Sequence, residues 1–159
     1  MSKFKPLLLL FFLLVLNPGF AQTKAIDSLN NLLTTTKFDT TKVIVLSELA
    51  VEYCETDFEK ALSYGNNALL LAKKINFQRG LAWTYTNLGI VYSIRSDNDE
   101  AIRNFQLAIN HAKTNKSLLA RTWANMGNTY LAKGDYKLAA EIHFKALKVY
   151  EEHENISGI

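Results

Sequence analysis

Few side chains in this 159-residue sequence have the types and spacing for metal binding or nucleophilic catalysis. The three histidines, His111, His143 and His153, have no second histidine four residues away and no cysteine nearby, so the ligand spacing of a helical zinc site is missing. The single cysteine, Cys54, cannot form an intrachain disulfide and lies on the apolar side of a predicted helix, which favours a buried thiol over a reactive one. We therefore expect no metal site and no cysteine nucleophile.

One acidic cluster resembles part of a calcium-binding loop. Asp97, Asp99 and Glu100 have suitable oxygen ligands, but the glycine and the final glutamate of such a loop are missing at the required spacing. Helix capping explains these residues with fewer assumptions. The sequence also has no glycine-rich phosphate loop and no serine nucleophile motif. We expect no catalytic residues, no cofactor and no enzymatic activity.

Basic and acidic residues nearly balance once the N-terminal segment is set aside. Lys3 and Lys5 account for two of the 18 basic residues, which leaves 16 against 15 acidic ones. A surface that follows a phosphate backbone needs a marked basic excess. The sequence therefore predicts no nucleic-acid partner.

Residues 1–21 have the build of a secretory signal peptide. Two lysines precede an apolar run over residues 7–16, and Gly19 and Ala21 supply the small side chains that a signal peptidase requires. The run is shorter than the ~20 residues that span a bilayer, so an uncleaved anchor is the less favoured alternative. We expect cleavage near Ala21, a mature chain without a membrane span, and a periplasmic or secreted location.

Three later segments share one pattern of residue types. Four positions spaced i, i+3, i+4 and i+7 lie on one stripe of a helix, and two alanines seven residues apart lie on a second helix. With no proline after Pro18, each segment is expected to form an antiparallel helical hairpin. The period is 39 residues from Ala50 to Gly89 and 38 from Gly89 to Gly127. The copies are Leu46, Leu49, Ala50, Tyr53, Ala61, Ala68; Tyr85, Leu88, Gly89, Tyr92, Ala101, Ala108; and Trp123, Met126, Gly127, Tyr130, Ala139, Ala146.

Local signals support these hairpins. Asp57, Asp97 and Asp135 are expected to cap the second helix of each hairpin, and Gly134 is expected to form a tight turn. The small residue in each first helix is expected to face the first alanine of the second helix, where it would let the two backbones approach closely.

The pattern resembles the tetratricopeptide repeat. Residues 123–130, Trp-Ala-Asn-Met-Gly-Asn-Thr-Tyr, are the best match, and Gly134-Asp135-Tyr136 follows in the turn. The period is about one helical turn longer than the family's usual ~34 residues, and copy one has Gly65 where the family has an aromatic residue. The resemblance implies an all-α solenoid of antiparallel helix pairs, wound as a right-handed superhelix.

The expected domain layout follows from the repeats. Residues 22–39 form a leading helix, over 24–35, and a linker. Residues 40–157 form three repeats, at about 40–76, 79–115 and 117–152. Gly158-Ile159 corresponds to Gly80-Leu81 at the entry to the second repeat, so the chain is expected to stop at the start of a fourth repeat unless its last helix caps the stack.

The resemblance also implies where a partner binds. In this family, residues of the first helices that point away from the hairpin seam line a concave groove for a peptide or a partner helix. Ser47 and Val51 stand where the family's carboxylate clamp needs a lysine and an asparagine, so binding of a chaperone tail is not expected. Trp83 is the strongest candidate contact, with packing between repeats as the alternative. The groove residues are Ile44, Ser47, Val51, Trp83, Thr86, Asn87, Ile90, Arg121, Asn125 and Asn128.

The implied function is that of a non-catalytic, exported scaffold for protein–protein interaction. The combination of the signal peptide, the leading helix and the lengthened repeats resembles exported modules that precede sensor histidine kinases or helix-turn-helix regulators in bacteria. A variant of this hypothesis therefore places a signalling domain downstream. The alternative is a repeat subunit that positions substrate for a separate catalytic partner. In each case the expected partner is a protein or peptide.

Overall fold

The computed structural model describes residues 18–157, with side chains from residue 22 to residue 152. This part of the chain contains seven helices and no strand, which confirms the predicted all-α class. Most of the predicted signal peptide lies outside the described residues. The helices are α1 (Pro18–Thr35), α2 (Asp39–Tyr53), α3 (Phe58–Lys74), α4 (Gln78–Ile94), α5 (Asn98–His111), α6 (Lys116–Ala132) and α7 (Tyr136–Ser157).

Helices α2 to α7 form three hairpins that stack on one another. The hairpins are α2 with α3, α4 with α5, and α6 with α7. Each new first helix also packs against both helices of the preceding hairpin, so α4 contacts α2 and α3, and α6 contacts α4 and α5. This arrangement is an α-solenoid with its core between successive hairpins. None of the described helices is long and apolar enough to cross a membrane.

The leading helix begins earlier than predicted. We expected it over residues 24–35, but α1 starts at Pro18 and runs through Ala21. Proline is well suited to a first helical turn, because the N–H that it lacks would have no partner there. The side-chain amide of Gln22 donates to the carbonyl of Glu52 at 2.6 Å, which ties the start of α1 to the end of α2. Among the described helices, α1 contacts α2 alone.

Polar side chains cap α3, α5, α6 and α7. Asp57, Asp97 and Asp135 each accept a hydrogen bond from the backbone N–H three residues ahead, at 3.0, 3.4 and 3.1 Å, as predicted. Asn115 caps α6 in the same way at 3.0 Å, which the sequence analysis missed. Gly134 has a φ of 80°, in the left-handed region that favours glycine. These caps fix where each hairpin turns.

Glycines at the seams leave space for rings. A Cβ built on Gly89 would lie 2.5 Å from the Phe105 ring, and one on Gly127 would lie 2.8 Å from the His143 ring. The nearest neighbours are therefore these rings and not the alanines that we expected there. The imidazole ring of His143 occupies the seam position that the larger ring of Phe105 has in the second hairpin.

The first hairpin packs differently. It has Ala50 where the others have glycine, and Gly65 where they have Phe105 and His143. The side chain of Leu88, from α4, occupies the space above Gly65. This position therefore packs against the next hairpin.

Cys54 lies in the core of the first hairpin, as expected. It packs with Ala50, Ala61 and Val91 and is 4% exposed. Burial, with a smaller contribution from Glu55, raises the pKa of its thiol. Because the thiolate is the nucleophilic form, this environment disfavours reactivity.

Candidate functional site

The predicted groove face is formed by α2, α4 and α6, with α4 in contact with both of the others. Residues at equivalent positions of neighbouring first helices lie next to each other, so their side chains can pair across repeats. Two such rows carry polar and aromatic residues. The first row is Ile44, Trp83 and Arg121; the second, one turn later, is Glu48, Asn87 and Asn125.

Trp83 lies between two charged side chains from the neighbouring repeats. Its indole Nε1 donates to Glu48 Oε1 at 2.6 Å. On the other side, the guanidinium carbon of Arg121 lies 4.3 Å from the ring centroid, within cation–π range. The side chain is half-buried. Trp83 therefore packs between repeats, the alternative raised above, while part of its ring still lines the surface.

Asn87 is the centre of the same network and is completely buried. Its Nδ2 donates to the backbone carbonyl and the hydroxyl of Ser47, at 3.2 and 3.1 Å, and lies 3.3 Å from Glu48 Oε1. Its Oδ1 accepts a hydrogen bond from Arg121 Nη2 at 2.5 Å. One asparagine thus links α2, α4 and α6, and a buried amide with these partners is well satisfied.

Hydroxyl groups continue this polar contact along α4 and α6. The hydroxyls of Thr86 and Thr122 lie 2.8 Å apart, and both residues are fully buried. Two turns further on, the hydroxyls of Ser93 and Thr129 lie 3.1 Å apart. Short side chains let the two helices approach closely, and the hydrogen bonds satisfy the polar groups that this approach buries.

These contacts correct the predicted groove. Ser47, Thr86 and Asn87 have no exposed surface, so their side chains hold the first helices together and cannot touch a partner directly. Ile90 packs partly against the Phe105 cluster, and Val51 partly against the Cys54 cluster. The predicted groove residues that keep accessible surface are Ile44, Val51, Trp83, Ile90, Arg121, Asn125 and Asn128, and Asn128 is the most exposed of them.

Glu48 is the residue of this network that the sequence analysis missed. Its carboxylate accepts from both Trp83 and Asn87, which makes it the anionic end of the network. It stands 39 residues before Asn87, one repeat earlier. Aligning Glu48 with Asn87 and Asn125, the equivalent residues of the next two repeats, would have placed this glutamate beside the predicted groove residues.

An open cleft of about 340 Å³ lies beside this network, at the start of α2 and α4. Ile44, Phe77 and Trp83 supply apolar walls, and Thr40 and Thr41 supply hydroxyls. Arg79, an exposed residue, completes the lining. Such a combination suits an apolar side chain with a polar or acidic neighbour.

The comparisons with known proteins agree with this architecture. The crystal structure of BtubC (BKLC) from P. vanneervenii is similar with a TM-score of 0.67 at 20% sequence identity, over 84% of this chain and 58% of that one. The chain thus spans 58% of the length of that protein, and at this identity the likeness shows the fold alone. No curated protein matches the sequence.

Two family descriptions of the tetratricopeptide repeat match the sequence. The first covers residues 50–114 and the second residues 122–155. Together they extend over more than half of the chain, on the hairpins described above. The chain therefore belongs to the tetratricopeptide repeat proteins, whose repeats are typically non-catalytic and serve protein–protein interaction.

Proposed function

We propose that the protein is an exported, non-catalytic scaffold that binds a peptide or protein partner on the face of α2, α4 and α6. The cleft beside Trp83 is the observation that carries this proposal, because it combines apolar walls with polar groups on the face of the first helices. Ile44 and Trp83 belong to both the predicted groove and the lining of this cleft.

The cleft favours a partner segment with an apolar side chain next to an acidic residue. The apolar side chain would lie between Ile44 and Phe77, against the ring of Trp83. The guanidinium group of Arg79, which lines the cleft, would lie near the acidic residue, and arginine pairs with carboxylates in a bidentate manner. The hydroxyls of Thr40 and Thr41 could bond to the backbone of the segment.

A displayed library of random peptides tests this recognition directly. We expect the wild-type protein to enrich peptides in which an aromatic or aliphatic residue is adjacent to aspartate or glutamate. The variant Arg79→Glu should lose this enrichment, because it reverses a charge on the rim of the cleft. The matched control is Arg103→Glu, which reverses an exposed arginine on α5, outside the face of the first helices.

Binding would be measured for each selected peptide by titration against all three proteins. We expect Arg79→Glu to weaken binding about ten-fold or more, since a charged hydrogen-bond pair is worth roughly 1.5–3 kcal/mol. Equal binding by wild type and Arg79→Glu would contradict the cleft assignment. Enrichment without any acidic preference would contradict the proposed partner chemistry.

The proposal includes export and a role as the sensory front of a larger signal-transduction protein. The basic, apolar and small-residue segments of residues 1–21 support export. Expression of the complete coding sequence in a Gram-negative host should give a periplasmic protein whose mass corresponds to a start at Gln22. A cytoplasmic product of full-length mass would contradict export. Reading the gene beyond codon 159 tests the signalling role, which requires an in-frame membrane segment with a kinase or a regulator domain.

A further inference from the structure

The last described helix has an apolar surface that no other described helix covers. Tyr136, Phe144, Leu147 and Tyr150 are 72%, 70%, 50% and 42% exposed. With 100° per residue, these four side chains and that of Ala140, also exposed, lie within about one third of the helix circumference. We refer to these five residues as the α7 patch.

The positions equivalent to Tyr150 in the earlier hairpins are covered, whereas those equivalent to Phe144 are the exposed polar residues Asn66 and Gln106. Tyr150 corresponds to Ala72 in α3 and to Ala112 in α5, which are 0% and 1% exposed. Ala72 packs with Leu81 of α4, and Ala112 packs with Leu118 of α6, so in both hairpins the next first helix covers this side. Within residues 18–157 no helix plays this part for α7. A contiguous apolar surface of this kind commonly marks an interaction site.

Charged residues along one edge of the patch alternate in sign. Their order is Lys137, Glu141, Lys148 and Glu151, and all four are exposed. Lys137 and Glu151 stand seven residues either side of Phe144, while Glu141 stands three before it and Lys148 four after it. In the part of the chain that the structure describes, none of the four belongs to an ion pair. If a second α7 helix runs antiparallel to the first, each lysine of this edge therefore lies opposite a glutamate, and each glutamate opposite a lysine.

We propose that the α7 patch binds the α7 patch of a second copy of the chain, with the two helices antiparallel and the two-fold axis near Phe144. In this arrangement Lys137 of one copy faces Glu151 of the other, and Glu141 faces Lys148, each pair occurring twice. Leu147 packs close to Ala140 of the second copy, so that a large side chain meets a small one. The interface is isologous, as in most two-fold dimers.

The charges distinguish this arrangement from its main competitor. In a parallel pair of α7 helices, the charged edge of one helix would face the other edge of its partner, where Ala139 and Ala146 lie, so these four residues would have no opposite charge beside them. The antiparallel pair has four favourable contacts instead. Since one helix pair forms a small interface, we expect modest affinity, with Kd on the order of micromolar to tens of micromolar.

Sedimentation velocity over a concentration series tests the proposal on protein made from the complete coding sequence and recovered from the soluble fraction. We expect a shift from one to two copies as concentration rises. Lys148→Glu and Glu141→Lys should each weaken association about ten-fold, because each creates two like-charge contacts. The double variant with both changes should restore association, since it exchanges the two signs and leaves the net charge unchanged.

Two further variants separate the patch from general surface effects. Phe144→Asp should abolish association, because it places a charge near the two-fold axis. Leu70→Asp, at a 67% exposed leucine on α3 outside the patch, should leave association unchanged. Thermal melts at low concentration establish that each variant is folded.

Three results would overturn the proposal. The first is a single-copy mass at every concentration up to roughly 100-fold above the expected Kd. The second is association that Phe144→Asp leaves intact. The third is failure of the double charge exchange to restore association after both single changes have weakened it, which would exclude the antiparallel register.

Discussion

Arg121 covers the face of Trp83, with its guanidinium carbon 4.3 Å from the ring centroid, while its Nη2 donates to Asn87 at 2.5 Å. The two contacts use different parts of one side chain, the planar face and the donor edge. Since Arg121 belongs to α6 and Trp83 to α4, the pair joins two repeats. The contacts with Arg121 therefore fix the position of the Trp83 ring beside the cleft.

Trp83→Ala should lower the free energy of unfolding by about 2–4 kcal/mol, through lost packing, a lost hydrogen bond to Glu48 and a lost cation–π contact. Urea denaturation of wild type and variant measures this. The control is Asn128→Ala, an exposed residue on the same face, which should change stability little. If both variants unfold at the same urea concentration, Trp83 makes no contribution between repeats.

Asn87→Leu should lower the free energy of unfolding through the loss of particular hydrogen bonds between repeats. It leaves the buried side of Arg121 and the hydroxyl of Ser47 without their amide partner, at a cost of roughly 2–3 kcal/mol. The loss should shrink when Arg121→Met is already present, because the guanidinium no longer needs that acceptor. A double-mutant cycle by denaturant unfolding measures the coupling, and strictly additive effects would contradict the network.

Gly127→Leu should destabilise the third hairpin by about 1–3 kcal/mol or more, since even a Cβ there would lie 2.8 Å from the His143 ring. Thermal melts compare it with Lys113→Ala, a change at an exposed residue beyond α5 that should be nearly neutral. Adding His143→Ala to Gly127→Leu should recover part of the loss. No recovery would indicate that another neighbour limits the space.

The ion pair between Lys133 and Asp99 gives a pH prediction. The hydrogen bond and the charge of Lys133 lower the pKa of the Asp99 carboxyl below its ordinary value of 3.8. A lowered pKa in the folded state means that the carboxylate contributes stability above pH 3.8 and loses that contribution as the pH falls through the lower, folded-state value. Both side chains are exposed, so we expect a small effect.

The measurement is the difference in melting temperature between wild type and Lys133→Met from about pH 6 to about pH 2. This difference should shrink as the pH falls, because protonated Asp99 no longer pairs with Lys133. Lys113→Met serves as the control at an exposed lysine outside any ion pair among the described residues. A difference that is constant with pH would exclude the pair as its cause.

The helices and their pairing could be predicted because each hairpin has its own complete signal. The stripe from Trp123 to Tyr130 and the alanines Ala139 and Ala146 specify two helices and the faces that meet. The predicted start of α1, at residue 24, was too late for a local reason. Pro18 stands in a segment with the features of a cleavage region, and the same proline also suits the first turn of a helix.

The groove was only partly predictable because periodicity gives a direction around a helix and not the distance to its neighbour. Ser47, Thr86 and Asn87 do point toward the neighbouring first helices, but those helices lie close enough to bury the three side chains. The role of Glu48 depends on contacts with α4 that are 35 and 39 residues distant in sequence. Such pairs follow only once the adjacency of α2 and α4 is known.

The position of α4 between α2 and α6 affects which helices unfold locally most easily. Opening at either end of the stack removes one neighbour of a terminal helix, whereas opening α4 breaks the contacts of Asn87 with both sides at once. Local fluctuations in repeat proteins begin where fewest neighbours must separate. Amide hydrogen exchange should therefore be slowest in α4 and faster toward α1 and α7, so that the Trp83 cleft is built on the most slowly exchanging helix of the stack.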